Sequence, residues 1–398
     1  MSQYRKPNIL ILYGNYGSGH KRAAEAVAAS IQSEMPDATI FVEDFLGQAF
    51  PVGDWVLRNL YLQTFSWAKP VYGWLYYKTK EWPADHALFQ SISYLGVWKL
   101  ERFLRDIQPD IIISTFPALT GMLALIKERG NVFFNLWCVV TDYTVHSQWL
   151  YKSVDQYFVP TDTVRVQMIQ AGIDAHSIVS TGIPIFPTFY QKQDRNRLLK
   201  KWNLSPNRPV VLMSAGAFGV TNFADVSQQL AQTCPQSQFV VICGRNHKLY
   251  KQLLTISQFG IGNLHPLPFV QEVDELLQVA DLFVTKPGGL SVSEAIACSV
   301  PMILCRSTPG QESENANYLV ASGAARFVDD NAELLHAISS LTRGTSELAR
   351  MKLNIQSIRH PISPAERIAS ITKKTFETDQ LPYAKELYLQ PHMVGEVL

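Results

Sequence analysis

The chain has 398 residues, 47% of them hydrophobic and 17% charged, which is ordinary globular composition at a length beyond what one core usually serves, so two domains are expected. Its 35 basic and 34 acidic residues nearly cancel, which excludes a chain-wide field of the kind that draws proteins to nucleic acid and leaves any attraction to an anionic surface to a local patch. Five cysteines (Cys138, Cys234, Cys243, Cys298 and Cys305) form no Cys-x-x-Cys pair and read as reduced, mostly buried thiols of a cytosolic protein, and no apolar run is long enough to cross a bilayer as a helix.

Short β-rich runs alternate with amphipathic stretches from the start of the chain. Strands are expected at 8–13, 39–43, 110–115, 133–140 and 156–160, then at 209–214, 239–243, 281–285 and 301–305. The run at 9–13 is too short for a signal core and leads into a glycine turn, so it reads as a first strand. This order is that of an α/β protein with parallel sheets, in two groups of strands separated near 186–200 by Gly182-Ile183-Pro184, Phe186-Pro187 and a charged stretch. The expected domains are 1–188, an acceptor- and membrane-binding Rossmann-like half, and 189–358, a second Rossmann-like half that binds a nucleotide-sugar, followed by a helix and tail at 359–398. In such sheets ligands sit beyond the carboxyl ends of the strands, and the loops there are the places to look for chemistry.

The first of these loops is Gly14-Asn15-Tyr16-Gly17-Ser18-Gly19-His20, between strand and helix. It is neither a Gly-x-Gly-x-x-Gly fingerprint nor a Walker loop, because His20-Lys21 follows Gly19 where Lys-Ser/Thr would be required. His20, at the helix start and toward the cleft expected between two such domains, is a candidate general base; the alternative is a cap or a packed histidine.

Between about 50 and 94 no clean strand is visible. Five of the eight tryptophans (Trp55, Trp67, Trp74, Trp82 and Trp98) lie in or beside this insertion with Tyr61, Tyr72, Tyr76 and Tyr77, and over 55–82 Arg58, Lys69, Lys78 and Lys80 against Glu81 leave a net charge of +3. Rings interleaved with lysines suit the headgroup region of an anionic membrane, whereas a helical subdomain would use the same rings as its own core.

Val139-Val140-Thr141-Asp142 ends a buried strand with an acid. Asp142 is a second candidate base, or the residue that fixes the tautomer of a nearby histidine; the alternative is an N-cap for the next short helix.

In the second half, Gly216 and Phe218 follow the first strand, Gly244 and Asn246 the second, and Val270 sits in a further loop; each presents backbone groups where a base or phosphate would lie. The strongest stretch is Thr285-Lys286-Pro287-Gly288-Gly289 followed by Glu294, which reads strand, glycine turn, helix. Gly288 and Gly289 let amides reach a diphosphate at the helix amino terminus without a metal. Glu294, about one and a half turns on and read here as solvent-open, suits both hydroxyls of a ribose. Gln311 and Glu312 supply the amide and carboxylate that read sugar hydroxyls.

Taken together, Gly17-Ser18-Gly19-His20, Val140-Thr141-Asp142-Tyr143 with His146 and Trp149, Thr285-Lys286-Pro287-Gly288-Gly289 with Glu294-Ala295, and Gly310-Gln311-Glu312 with Asn315-Ala316 resemble the monogalactosyldiacylglycerol synthases and bacterial processive diacylglycerol glucosyltransferases, of glycosyltransferase family 28 type. The resemblance runs over roughly residues 7–375. It implies a GT-B fold with two Rossmann-like domains facing a cleft and a C-terminal helix returning to the first. It also implies inversion at the anomeric carbon, a UDP-glucose or UDP-galactose donor, and diacylglycerol taken from the inner face of the cell membrane by a peripheral enzyme. On it Glu294 would hold the ribose, Lys286, Gly288 and Gly289 would belong to the diphosphate site, Gln311 and Glu312 would hold the hexose, and His20 or Asp142 would serve the acceptor hydroxyl, with no metal cofactor. A GlcNAc transferase on a lipid-linked peptidoglycan precursor, a UDP-sugar epimerase of the same architecture and a silent nucleotide-sugar sensor are the competing readings.

Overall fold

The computed structural model describes residues 6–15, 17–49, 69–80, 82, 87–214, 223–305, 309–344 and 346–378. The chain divides into two compact units: the first runs to Phe186 and resumes at Ile362, and the second is Pro187–Pro361.

In the first unit, β1 (Asn8–Leu12), α1 (Ser18–Glu34) and β2 (Thr39–Glu43) are followed by the short α2 (Phe45–Ala49), then α3 (Lys69–Lys80) and α4 (Ala87–Ile107). After these come β3 (Ile111–Ser114), α5 (Pro117–Arg129), β4 (Asn135–Val139), β5 (Gln156–Val159), α6 (Asp162–Gln170) and β6 (Ile178–Ser180). The six strands form one parallel sheet in the order β2-β1-β3-β4-β5-β6. The near-continuous apolar runs of β1 and β3 are what a strand covered on both faces requires, and Ile9–Leu12 and Ile111–Ile113 are fully buried. One face carries Leu10, Leu12, Ile112 and Leu136 against α4 and α5; the other carries Ile9, Ile11 and Ile113 against α1.

The second unit contains α7 (Arg195–Lys201), β7 (Val210–Ser214), α8 (Phe223–Thr233), β8 (Gln238–Ile242), α9 (His247–Gln258), β9 (Leu264–Leu267), α10 (Val273–Val279) and β10 (Leu282–Thr285). It continues through α11 (Gly289–Ala297), β11 (Met302–Cys305), α12 (Gln311–Ala321), β12 (Ala325–Val328), α13 (Asn331–Thr342) and α14 (Ser346–Ile358). Its sheet is again parallel, in the order β12-β11-β10-β7-β8-β9. The last helix, α15 (Pro364–Glu377), returns to the first unit, where Ile368 and Ala369 join Ile9 of β1 and Ala24, Val27 and Ile31 of α1, with Lys373 3.6 Å from Glu34.

Both units use the same device to start their central strands. An aspartate at the entry of the neighbouring strand accepts the first strand's amide: Asp110 takes the Asn8 N–H at 2.8 Å, and Asp281 takes the Val210 N–H at 2.9 Å. The buried amide at the strand end is thereby satisfied without a further strand residue.

Of the strands, β6, β9 and β12 were not expected from the sequence. All three are sheet edges and only three or four residues long, and β9 carries Pro266 at a position only an edge tolerates. The 50–94 insertion is helical where it is described, in α3 and the start of α4. Among the described residues no helix is long and apolar enough to cross a membrane.

Candidate active site

Each sheet has one switch point where successive connections leave in opposite directions, and there the loops after two adjacent strands flare apart and leave a crevice. In the first unit it lies between β1 and β3, where Leu12 is in register with Ser114. The loop after β1 and the first turn of α1 bring His20 to this point, beside Thr115 and Phe116 from the turn after β3.

His20 is fastened there by a reciprocal pair. Its Nδ1–H donates to the Thr115 carbonyl at 2.6 Å, and the Thr115 hydroxyl donates to the His20 carbonyl at 3.0 Å. Because a carbonyl only accepts, the proton is on Nδ1 and Nε2 keeps its lone pair. The Thr141 hydroxyl oxygen, from the segment after β4, is 3.2 Å from the same Nδ1, and the Phe116 ring meets the imidazole edge-on with centroids 5.1 Å apart. Burial lowers the His20 pKa to about 4, against the smaller opposing pull of the Thr115 carbonyl, so the ring is neutral at ordinary pH.

The sequence pointed to Asp142 as the residue that would fix a histidine tautomer. For His20 that partner is instead the Thr115 carbonyl, with Thr141 second. Asp142 itself is half-buried in the loop after β4. The reading of Asp142 as the N-cap of the next short helix is also corrected: the Ser147–Trp149 turn is capped by His146, whose Nδ1 accepts the Gln148 N–H at 3.2 Å. A side chain with its acceptor already at the right distance two residues before the turn leaves no capping role for position 142.

In the second unit the switch point lies between β10 and β7, with Leu282, Phe283 and Val284 in register with Val211, Leu212 and Met213. Lys286, Pro287 and Gly288 follow β10 there, and Gly288 is the N-cap of α11. Two glycines at helix starts are required neither by backbone strain nor by a close neighbour. Gly288 has φ −73°, open to any residue, and a Cβ built on it meets nothing within 4 Å. Gly19, in the first turn of α1, likewise faces open space, and glycine costs about 1 kcal/mol relative to alanine in a helix. Both keep the approach to a helix amino terminus clear, where unbonded amides and the dipole favour an anion or a polar oxygen.

Glu294 is 5% exposed, in the buried row of α11 with Val292, Ser293 and Ala295, and not in a solvent-open position as the sequence suggested. Every residue of α11 from Val292 to Ala297 is buried, and Glu294 lies within that covered stretch. Gln311 and Glu312, both half-buried, open α12 after Gly310, whose φ of 102° admits only glycine comfortably. α12 is tied to the glycine turn by Asn315, 1% exposed, whose Nδ2 donates to the Pro287 carbonyl at 3.1 Å. This bond brings the Lys286–Gly289 turn and the Gln311-Glu312 helix start together.

Asn246 caps α9, its Oδ1 accepting the Leu249 N–H at 3.0 Å, after Gly244 in a left-handed turn with φ 59°. Val270 is half-buried in the loop after β9. Gly216 and Phe218 lie outside the described residues, as do Trp55, Arg58, Tyr61 and Trp67. The part of the aromatic insertion that is described splits by face. On α3, Tyr76 and Thr79 are buried against the His146 segment, with the Tyr76 and His146 rings 4.9 Å apart and the Ser147 hydroxyl donating to the Thr79 carbonyl at 3.0 Å. Trp74 is 61% exposed with Lys78 Nζ 4.7 Å from its ring, and Tyr77 is exposed beside them.

Sequence reasoning missed Thr115, Thr141 and Asn315 as positioning residues. Asn315 stood in a quoted motif without a role, and the threonines stood at strand ends, where a short polar residue after a buried run is the available signal.

Two parallel six-stranded Rossmann-like sheets in one chain, each with a helix terminus at its switch point, define the GT-B architecture. Residues 20–185 match the family model described as monogalactosyldiacylglycerol (MGDG) synthase, and residues 216–371 match the glycosyltransferase family 28 C-terminal domain. The chain is 33% identical over 381 residues to a processive diacylglycerol beta-glucosyltransferase of Bacillus cereus, covering 95% of this chain and 97% of that one, and 32% identical to one of Bacillus anthracis over the same shares. The chain belongs to this family of diacylglycerol glycosyltransferases, which make membrane glycolipids. Among solved structures, UDP-GlcNAc 2-epimerase of Neisseria meningitidis bound to UDP-GlcNAc superposes with a TM-score of 0.60 at 14% identity, covering 93% of this chain and 99% of that one. MurG of Acinetobacter baumannii superposes at 0.59 and 13% identity, covering 92% and 99%. At such identities the likeness is one of fold alone.

Proposed function

We propose that this enzyme transfers a hexose with inversion from UDP-hexose to the free hydroxyl of diacylglycerol, and that His20 is the base. The observation that carries this reading is the locked tautomer of His20: a neutral imidazole with Nδ1 committed to Thr115 and Nε2 basic, at a switch point beside an open helix start. The acceptor oxygen attacks the anomeric carbon from the face opposite UDP. One C–O bond forms as the bond to the β-phosphate breaks, its electron pair leaves with UDP, and the hydroxyl proton passes to Nε2. A single displacement turns an α-linked donor into a β-linked product.

The second unit serves the donor. The Gly288-Gly289 turn and the terminus of α11 take the diphosphate and stabilise the leaving group's charge, with Lys286 beside them. Glu294 takes the ribose, and Gln311 and Glu312 take the hexose hydroxyls, with Gly216, Phe218, Gly244, Asn246 and Val270 around the nucleotide. Asp142 remains the second candidate for the acceptor proton. The relatives, as beta-glucosyltransferases, favour glucose as the sugar.

The exposed Trp74, Tyr77 and Lys78 of α3 support peripheral binding to an anionic membrane, with rings in the headgroup layer and the lysine near lipid phosphates. Competition between UDP-glucose and UDP-galactose for diacylglycerol in vesicles, with the product's anomeric proton coupling read by NMR, tests donor and stereochemistry together. A β-linked glucosyl lipid is expected; an α-linked product refutes inversion.

A further inference from the structure

The second unit holds a cavity of about 440 Å³ at the end of its sheet opposite the glycine turn. Gln278 lines it just before β10, and Ala297, Cys298 and Ser299 line it just before β11; Phe189, Tyr190 and Lys192 close it from the chain entering the unit, and Arg359 from the chain leaving it. Its volume falls in the range of small-molecule sites.

The chemistry of the walls is one-sided. Two cations, Lys192 and Arg359, line the cavity with no carboxylate among the lining residues. Glu294 and Asp274 act electrostatically on Cys298 but lie outside the lining. Arg359 is pre-organised: its guanidinium lies 4.7 Å from the Tyr190 ring centroid and its Nε donates to the Ala297 carbonyl at 2.7 Å. Among the described residues it makes no ion pair, which leaves its two terminal NH₂ groups to be answered. Gln278 accepts the Gln193 N–H on Oε1 at 2.9 Å, and its Nε2 is buried without a partner. A buried donor in this state costs free energy until an acceptor reaches it.

Arg359, Lys192 and the Gln278 amide thus ask for an acceptor, Gln191, Ser299 and Gln356 add neutral groups that can donate to it, and the aromatic wall of Phe189 and Tyr190 asks for an apolar or planar body. We infer that this cavity binds a small soluble phosphate ester, with the oxyanion on Arg359, Lys192 and Gln278 and the organic part against Tyr190. The site has a direct line to the rest of the molecule. α11 runs about 13 Å from the glycine turn to Cys298, and Arg359 stacked on Tyr190 joins the residues beside both chain crossings, at Phe186 and Ile362.

The test is calorimetric titration of the full chain with phenyl phosphate and with inorganic phosphate, with variants of Arg359 and Lys192 assigning the binding to this cavity and not to the nucleotide site. Phenyl phosphate should bind one per chain and more tightly than inorganic phosphate, and Arg359→Gln should weaken it by about tenfold or more. Lys192→Gln, a change at an exposed side chain that no fold contact needs, should weaken it in the same sense with the melting temperature unchanged. No saturable binding, or equal affinity in wild type and in both variants, overturns the inference. Equal affinity of the two probes overturns the part assigned to Tyr190.

Discussion

His20 and Thr115 hold one another by two hydrogen bonds, side chain to carbonyl in each direction, at 2.6 and 3.0 Å. The pair fixes three things at once: where the imidazole sits, which nitrogen carries the proton, and how the turn after β3 meets the first turn of α1.

If Nε2 is the base, His20→Ala should lower kcat by about 10²- to 10⁴-fold with UDP affinity unchanged, measured by initial rates and calorimetry. With a pKa of about 4, the acid limb of the rate profile should fall near that value and not near 6.5. The same shift has a stability consequence. The unfolded ring binds a proton near pH 6.5 and the folded one only near 4, so the stability this neutral ring retains is complete above 6.5 and is lost as pH falls toward 4. Melting curves of His20→Gln should show a flatter dependence across that window.

Gly288→Ala and Gly19→Ala separate fold from ligand. Neither position has a strained φ or a neighbour that a methyl would strike, so Gly19→Ala, inside its helix, should gain about 0.5–1 kcal/mol, while Gly288→Ala, at an N-cap where alanine is the poorer residue, should cost no more than about 1 kcal/mol. Gly288→Ala should nonetheless weaken UDP binding, and Gly19→Ala should slow transfer. A lowered melting point with unchanged binding would assign these glycines to the fold.

Glu294→Ala removes a buried charged acceptor and should weaken UDP by about 1.5–3 kcal/mol, read by calorimetry beside a melting curve. Glu294→Gln, which keeps the shape and one acceptor oxygen, should lie between the two. UDP affinity equal in all three proteins rules out the ribose role.

The exposed and the buried aromatic residues of α3 and α4 should answer differently. Trp74→Ala and Trp98→Ala, both at residues 61% exposed, should reduce co-sedimentation with anionic vesicles at unchanged melting temperature, and added salt should weaken the wild-type interaction. Tyr76→Ala, at 6% exposure, should cost about 3 kcal/mol or more of stability. Unchanged vesicle binding in both tryptophan variants would leave the rings without a membrane role.

The covered strands and the glycine turns were legible in the sequence because burial on both faces writes an unbroken apolar run, and a turn before a helix writes glycine. Three of the four edge strands were not: Ile178–Ser180, Leu264–Leu267 and Ala325–Val328 are too short for periodicity, and Pro266 argues against a strand unless the edge position is known. His20 was visible as a histidine in a loop, but its partner was not, because Thr115 contributes a backbone carbonyl, which no residue type announces. Burial of Glu294 was equally hidden, since it depends on what α11 packs against and not on the residues flanking it.

The most direct measurement follows labelled hexose from UDP-glucose into the organic phase with diacylglycerol vesicles, in EDTA, for wild type and His20→Ala. If amides and a helix terminus hold the diphosphate, wild type should yield lipid-soluble β-linked label without added metal, and His20→Ala should lose it while still binding UDP. Label that stays in water as free or epimerised sugar, or transfer undiminished in His20→Ala, would contradict the account.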